Sequence, residues 1–241
     1  MDEVQTLRLF FFDLKTGRQY RDTTLTRDEF LTDTGAMQTY ISNGEYGIVT
    51  LANVGHGSTV SADNLGDAAI TFPDTGADPL FFNRIQTPIQ KGDSLRFDID
   101  LFKSVFKINV LITGLEKTPH PESHYFGIYN REALDFFDRP SGDLKRYRPE
   151  LTYDRGRLSG SFYTPYFTGD DDFTIGVYCD HPQSQYTRLC ETTIRNFADI
   201  VDEAIGHDVE INVEIAVRDT GVSITVSDWD GVIVQDEQLG H

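Results

Sequence analysis

The stretch that most constrains the fold is DVEINVEIAVRDTGVSITVSDWDG, residues 208–231. Val209, Ile211, Val213, Ile215 and Val217 alternate with Glu210, Asn212, Glu214, Ala216 and Arg218. Successive side chains of a strand point to opposite faces, so a period of two with one apolar and one polar side predicts a half-buried antiparallel strand. Arg218–Asp219–Thr220–Gly221 supplies the turn, with Gly221 free to take a positive φ. Val222, Ile224 and Val226 resume the alternation on the return strand. Trp229, the only tryptophan, is out of step with Val226, which predicts a bulge or an exit from the sheet.

The same grammar recurs along the chain. VQTLRLFFF (4–12) reads as a strand apolar on both faces, with Leu7, Leu9 and Phe11 on one side and Phe10 and Phe12 on the other. GEYGIVTLAN (44–53) is the next strong strand. Residues 21–39 read as loop or irregular edge, and 55–92 as a long Gly-, Asp- and Pro-rich loop region. SLRFDIDL (94–101) and VFKINVLIT (105–113) alternate cleanly. The apolar link Leu101–Ser104 is taken as the crossing from one sandwich to the next, dividing the chain into an N-terminal domain 1–101 and a C-terminal domain 102–241. Residues 124–129, 158–164 and 173–179 read as further strands. One helix is expected over 196–205, where Phe197, Ile200, Val201 and Ala204 fall on one helical face and Gly206 ends it. Many short strands, one short helix and abundant turns predict an all-β chain of two tandem antiparallel β-sandwich domains.

At 241 residues with 39% hydrophobic content, the chain is long enough and apolar enough to fill such cores. Its net charge of -18, with both halves acidic, argues against nucleic acid and against docking on anionic lipid. No apolar run reaches the ~18 residues a membrane helix needs. Met1 leads through a charged segment directly into a strand, which is read as a cytoplasmic protein or one trimmed of its targeting segment.

The chemistry-bearing residues form no catalytic set. His120 and His124 are i, i+4, but Pro121 opposes the helix that would make them metal partners, so they are expected as solvated loop imidazoles. Asp170, Asp171 and Asp172 follow Gly169 without EF-hand spacing. With 39 acidic residues, carboxylate pairs of the kind glycosidases use arise by accident. Catalytic, cofactor-binding and metal-ligating residues are therefore expected to be absent. Aromatics crowd the middle of the second half. Phe126 and Phe162 are assigned to the core, while Tyr163, Tyr166 and Phe167 stay open between core and a glycan- or partner-contact surface. Cys179 ends one strand and Cys190 begins a segment after a ten-residue loop; if these segments pair, the two cysteines can face each other and form a disulfide in an oxidising compartment.

Four pieces in order carry a resemblance: TLRLFFFDLKTGR near the N-terminus, EYGIVTLAN, FKINVLITGL, and VEIAVRDTGVSITVSDWD near the C-terminus. Together the chain resembles the Bacteroidales fimbrial anchor and minor-subunit family, the FimB-like cell-adhesion lipoproteins of type V pili. The resemblance implies two transthyretin-like sandwiches without catalytic residues or cofactor. It also implies export, lipidation of a cysteine that this sequence lacks, and a place at the outer membrane on the cell surface. Its implied partners are pilin or other fimbrial subunits, joined by strand addition; the apolar Val232–Ile233–Val234 is a candidate participant. A secreted carbohydrate-binding β-sandwich is the alternative, with a host or other glycan as ligand.

Overall fold

A computed structural model describes residues 4–30, 40–55, 57–90, 98–168, 171–195, 197 and 210–227, and the backbone of 232–237. In chain order the strands are β1 (Thr6–Asp13), β2 (Gln19–Thr26), β3 (Gly44–Ala52), β4 (Thr59–Ser61), β5 (Ala69–Thr71), β6 (Phe81–Ile89), β7 (Phe102–Lys103), β8 (Val105–Thr113), β9 (His124–Asp135), β10 (Pro140–Tyr147), β11 (Thr152–Asp154), β12 (Arg157–Pro165), β13 (Phe173–Cys179), β14 (Arg188–Ile194), β15 (Glu210–Arg218), β16 (Gly221–Ser227) and β17 (Val232–Glu237). The chain is all-β, and its sheets are built largely of antiparallel pairs, with β15 running parallel to β8. It divides into two compact units, one of residues 1–72, 78–104 and 133–142, the other of residues 73–77, 105–132 and 143–241.

The first unit is built on the sheet β2-β1-β3-β6-β7. Both faces of β1 are buried, as its two-sided apolar pattern predicts. Phe10 and Phe12 pack edge-on against Phe136, at 5.0 and 5.8 Å between ring centres. On the opposite face Leu9, Phe11 and Ile48 form a second cluster with Leu25, Ile41, Ile85 and Ile99. The short strand β4 pairs with β5, and β5 with Ala133–Asp135 of β9.

Three sequence expectations change here. The region 55–92 holds β4, β5 and β6, so it is not one long loop. Its nine-residue strand β6 pairs along its whole length with β3, and Pro88 sits opposite Glu45. On its other side β6 meets β7 only at Phe81 and Phe82, so Pro88 lies where a missing N–H breaks no ladder bond among the described residues. Of residues 21–39, read as loop or irregular edge, 21–26 belong to β2, a polar edge strand whose partner β1 supplies the pattern it lacks, and 31–39 lie outside the described residues. Of the strand expected over 94–101, residues 94–97 lie outside the described residues, and 98–101 are not strand.

The second unit stacks the sheet β11-β12-β8-β15-β16-β17 against a layer formed by β14, β13 and the first part of β9, with β10 also on β9. The β15–β16 hairpin forms as its alternation dictates. Ile211, Val213, Ile215 and Val217 are buried, as are Val222, Ile224 and Val226, while Asn212 and Glu214 are exposed. Arg218 pairs with Gly221, leaving Asp219 and Thr220 as the turn. Each buried Val or Ile contributes about 2 kcal/mol of hydrophobic stabilisation. On its other side β15 pairs in parallel with β8, residue for residue from Glu210–Lys107 to Ala216–Thr113. A polar row crosses the outer face there: Lys107 Nζ donates to Glu210 (2.7 Å), and Asn109 donates to Glu210 and Asn212 while accepting from Ser161.

The layers are joined by Phe126 against Phe162 and by a stack of Phe167, Phe173 and Phe197. A buried amide joins them too, since Asn130 Nδ2 donates to Thr164 Oγ1 (2.9 Å) and to Pro165 O (2.6 Å). Of the expected helix 196–205 only Phe197 is described, and it is helical and buried; Trp229 lies outside the described residues.

Candidate functional site

Alternation along β9 sends Phe126, Ile128 and Asn130 into the core and leaves Tyr125, Gly127 and Tyr129 on the outer face. The neighbouring β13 buries Phe173, Ile175, Val177 and Cys179 and presents Gly176 and Tyr178 on the same outer face. The register sets Tyr178 opposite Tyr125, Gly176 opposite Gly127 and Thr174 opposite Tyr129.

Because Gly127 and Gly176 have no side chains, the Tyr178 ring lies down across the sheet. A Cβ at Gly127 would sit 2.6 Å from a Tyr178 ring carbon, and one at Gly176 would sit 3.0 Å from the ring. The ring stacks on Tyr125 at 5.5 Å and 25°, and its hydroxyl donates to Glu191 Oε2 at 2.5 Å. Burial pushes the Tyr178 phenol far above its ordinary range, reinforced by the hydrogen bond and charge of Glu191, so the ring remains a neutral donor.

Arg146, from β10, holds its guanidinium carbon 4.5 Å from the centre of the Tyr178 ring and 5.7 Å from that of Tyr125. Arg148 covers Tyr125 at 3.9 Å and pairs with Asp180 at 2.7 Å. Arg188 pairs with Glu191 at 2.9 Å. All of these but Arg148, with Tyr129, Gln185, Tyr186 and Thr187, line an open groove of about 870 Å³, within the size range of ligand sites. Rings, guanidinium groups and the Gln185 amide line it.

The residues singled out from sequence lie elsewhere. Phe167, left open from the sequence, is core: it is only 1% exposed and packs on Phe106, Phe173 and Phe197. Tyr163 is half-buried on β12 opposite Lys107, and Tyr166 is half-buried against Phe106. Cys179 and Cys190 are both buried on paired strands, but the register sets Cys190 opposite Val177, and the Cys179 amide donates to Thr187 O. His124, expected to be solvated, is buried, and its Nδ1 faces the carbonyls of His120 and Pro121. Burial lowers its pKa against the pull of those carbonyls. Asp171 is a loop clasp: it accepts from the Thr168 amide and hydroxyl and from Arg131. Among the described residues no group of three His, Cys, Asp or Glu side chains could hold a metal ion.

Sequence reasoning missed Tyr125, Tyr129, Arg146 and Tyr178. The signal was present as Tyr-x-Gly-x-Tyr over 125–129 and Gly-x-Tyr over 176–178, where a period of two puts glycine and tyrosine on one face.

Stacked, largely antiparallel β-sheets place the chain in the class of all-β sandwich proteins. Residues 1–235 match the family of fimbrillin-A associated anchor proteins Mfa1 and Mfa2, and the chain belongs to that family. It is a cell-surface component of fimbriae, whose partners are other fimbrial subunits. Its fold is that of the fimbrial anchor protein Mfa2 from Porphyromonas gingivalis, at TM-score 0.63 and 12% identity over 96% of this chain and 91% of that one. A Bacteroides thetaiotaomicron structure described as "putative polysaccharide binding proteins" aligns at TM-score 0.69 and 12% identity, over 98% of this chain and 90% of that one. A "putative adhesin" from Bacteroides ovatus aligns at TM-score 0.69 and 10% identity, over 97% and 88%. A comparison with curated protein sequences finds no match.

Proposed function

We propose that the protein is a non-enzymatic anchor or accessory subunit of a type V fimbrium, exported as a lipoprotein and held at the outer membrane. The observation that carries this reading is the family match over residues 1–235. In this reading the two units are transthyretin-like domains, and neighbouring subunits join by strand addition. The outer position of β17 supports that mode, because it pairs with β16 alone among the described strands. Deleting Val232–Glu237 in the native organism should abolish co-purification with fimbrial subunits while leaving the protein at the surface. Undiminished co-purification removes β17 from the joint, and wild-type protein that neither fractionates with the outer membrane nor recovers fimbrial subunits removes the reading.

Export would carry Cys179 and Cys190 into an oxidising compartment, and a bridge between them belongs to the same proposal. Alkylation in denaturant without reduction should leave the mass unchanged; two alkylated thiols in exported protein count against the bridge.

The open aromatic groove favours a second reading, a carbohydrate-binding module, in which Tyr163 and Tyr166 are retained as further contact residues. Glycan binding that is weakened by Tyr166→Ala would support their inclusion.

A further inference from the structure

We propose that the outer-face groove of the second unit receives a carboxylate-bearing sugar, with Arg146 binding the carboxylate and Tyr129 supplying the stacking surface. Its two neighbouring arginines are engaged by acids, Arg148 by Asp180 and Arg188 by Glu191. Among the described residues no carboxylate pairs with Arg146, in a chain where 39 acidic residues face 21 basic ones. An exposed cation left without an acid in so acidic a protein offers charge complementarity to an anion from outside.

The cation is also preorganised. Its guanidinium lies over the Tyr178 ring, and that ring is fixed by Gly127 beneath it and Glu191 at its hydroxyl. A guanidinium stacked on an aromatic face keeps its N–H edges for a planar, bidentate partner, which is the geometry of a carboxylate. Tyr129, half-buried, stands on the same face and lines the groove, and a phenol ring is suited to the C–H face of a pyranose. Gln185, Asp180 and Thr187 add polar ends around the groove for sugar hydroxyls.

An acidic peptide has the same charge but not the same fit. Peptides add to open sheet edges or lay a helix in an apolar groove. Here β13 is paired on both sides, with β9 and β14, so the groove floor offers no open backbone ladder.

The test uses the full chain, and its readout does not depend on any place in a fimbrium. Binding is measured by titration calorimetry with trigalacturonate, with galactotriose as the neutral counterpart, and with a hexaglutamate peptide. Trigalacturonate should bind at least about tenfold more tightly than either comparison ligand, a difference of about 1.4 kcal/mol. Arg146→Gln should erase the preference over galactotriose, and Arg146→Lys should restore it only in part. Tyr129→Ala should weaken both sugars together. Thermal melts of each variant separate lost binding from lost folding, and Arg146 is exposed enough for replacement without disturbing the core. Equal affinity for the two sugars, no binding of trigalacturonate, tighter binding of hexaglutamate, or an unchanged preference in folded Arg146→Gln would each overturn the proposal.

Discussion

The ring of Tyr178 rests on Gly127, so closely that a methyl group there would meet a ring carbon at 2.6 Å. The glycine serves as a seat for the ring, and its backbone needs no unusual conformation. Gly127→Ala is therefore expected to lift Tyr178 off the sheet, costing about 1–3 kcal/mol through overpacking. Gly55→Ala, where nothing lies within 4 Å of the new methyl, should change stability far less. Chemical melts of the two variants make the comparison, and equal stabilities would show that the ring is not seated as described.

Asn130 joins the two layers of the second unit with both of its Nδ2 donors. Its Oδ1 accepts from the Arg131 amide at 2.7 Å. Asn130→Ala leaves Thr164 Oγ1 and Pro165 O short of a partner in a site from which water is excluded. The expected cost is about 2–4 kcal/mol, read as a lower denaturation midpoint with an unchanged slope. Asn130→Asp should be no rescue, because a carboxylate cannot donate to Pro165 O.

Asp138 makes the first unit sensitive to pH. Burial raises its pKa from 3.8 to about 6, opposed by a hydrogen bond from Ser104 and assisted by the charge of Asp135. A carboxyl whose pKa is higher folded than unfolded takes up its proton in the folded state first. Its contribution to stability therefore grows as pH falls from about 7 towards about 4 and is lost as pH rises through 6, with a ceiling of about 3 kcal/mol. Asp138→Asn should be more stable than the parent at pH 8 and gain much less at pH 4.5. Asparagine also tolerates the positive φ of 57° at this position. Melts at the two pH values decide it, and a constant difference between them would contradict the linkage.

Phe167 and Tyr166 are neighbours in sequence with opposite roles. Phe167 packs edge-on against both Phe173 and Phe197, at 5.3 and 5.5 Å between ring centres. Phe167→Ala should cost about 3–5 kcal/mol. Tyr166→Ala, at a half-buried ring, should cost markedly less. Denaturation midpoints in the reverse order would return Phe167 to the surface.

What could be read in advance followed from how each strand is buried. The β15–β16 hairpin has one face in the core and one in water, so Ile211 to Val217 and Val222 to Val226 write their environment directly into the sequence. The polar edge strand β2 carries no such record, since its place depends on β1. In β6 the prolyl residue reads as a breaker until the paucity of partners beyond Phe81 and Phe82 makes Pro88 harmless. The groove was the least legible part. Its parts come from β9, β10, β13 and the segment around β14, and only the pairing register brings Tyr125, Arg146, Tyr178 and Glu191 together. Segment-by-segment reading weighed the crowded aromatics near Tyr163 instead, where Phe167 proved to be core.

The parallel contact between β8 and β15 joins Lys107 to Glu210 across 103 residues of chain. Loop closure over that span has to be met before the contact returns anything. A chain that emerges N-terminus first has Ile108, Val110 and Ile112 made long before the strand that shields them. A product cut short of β15 leaves β8 paired with β12 on one side and with an open backbone ladder on the other.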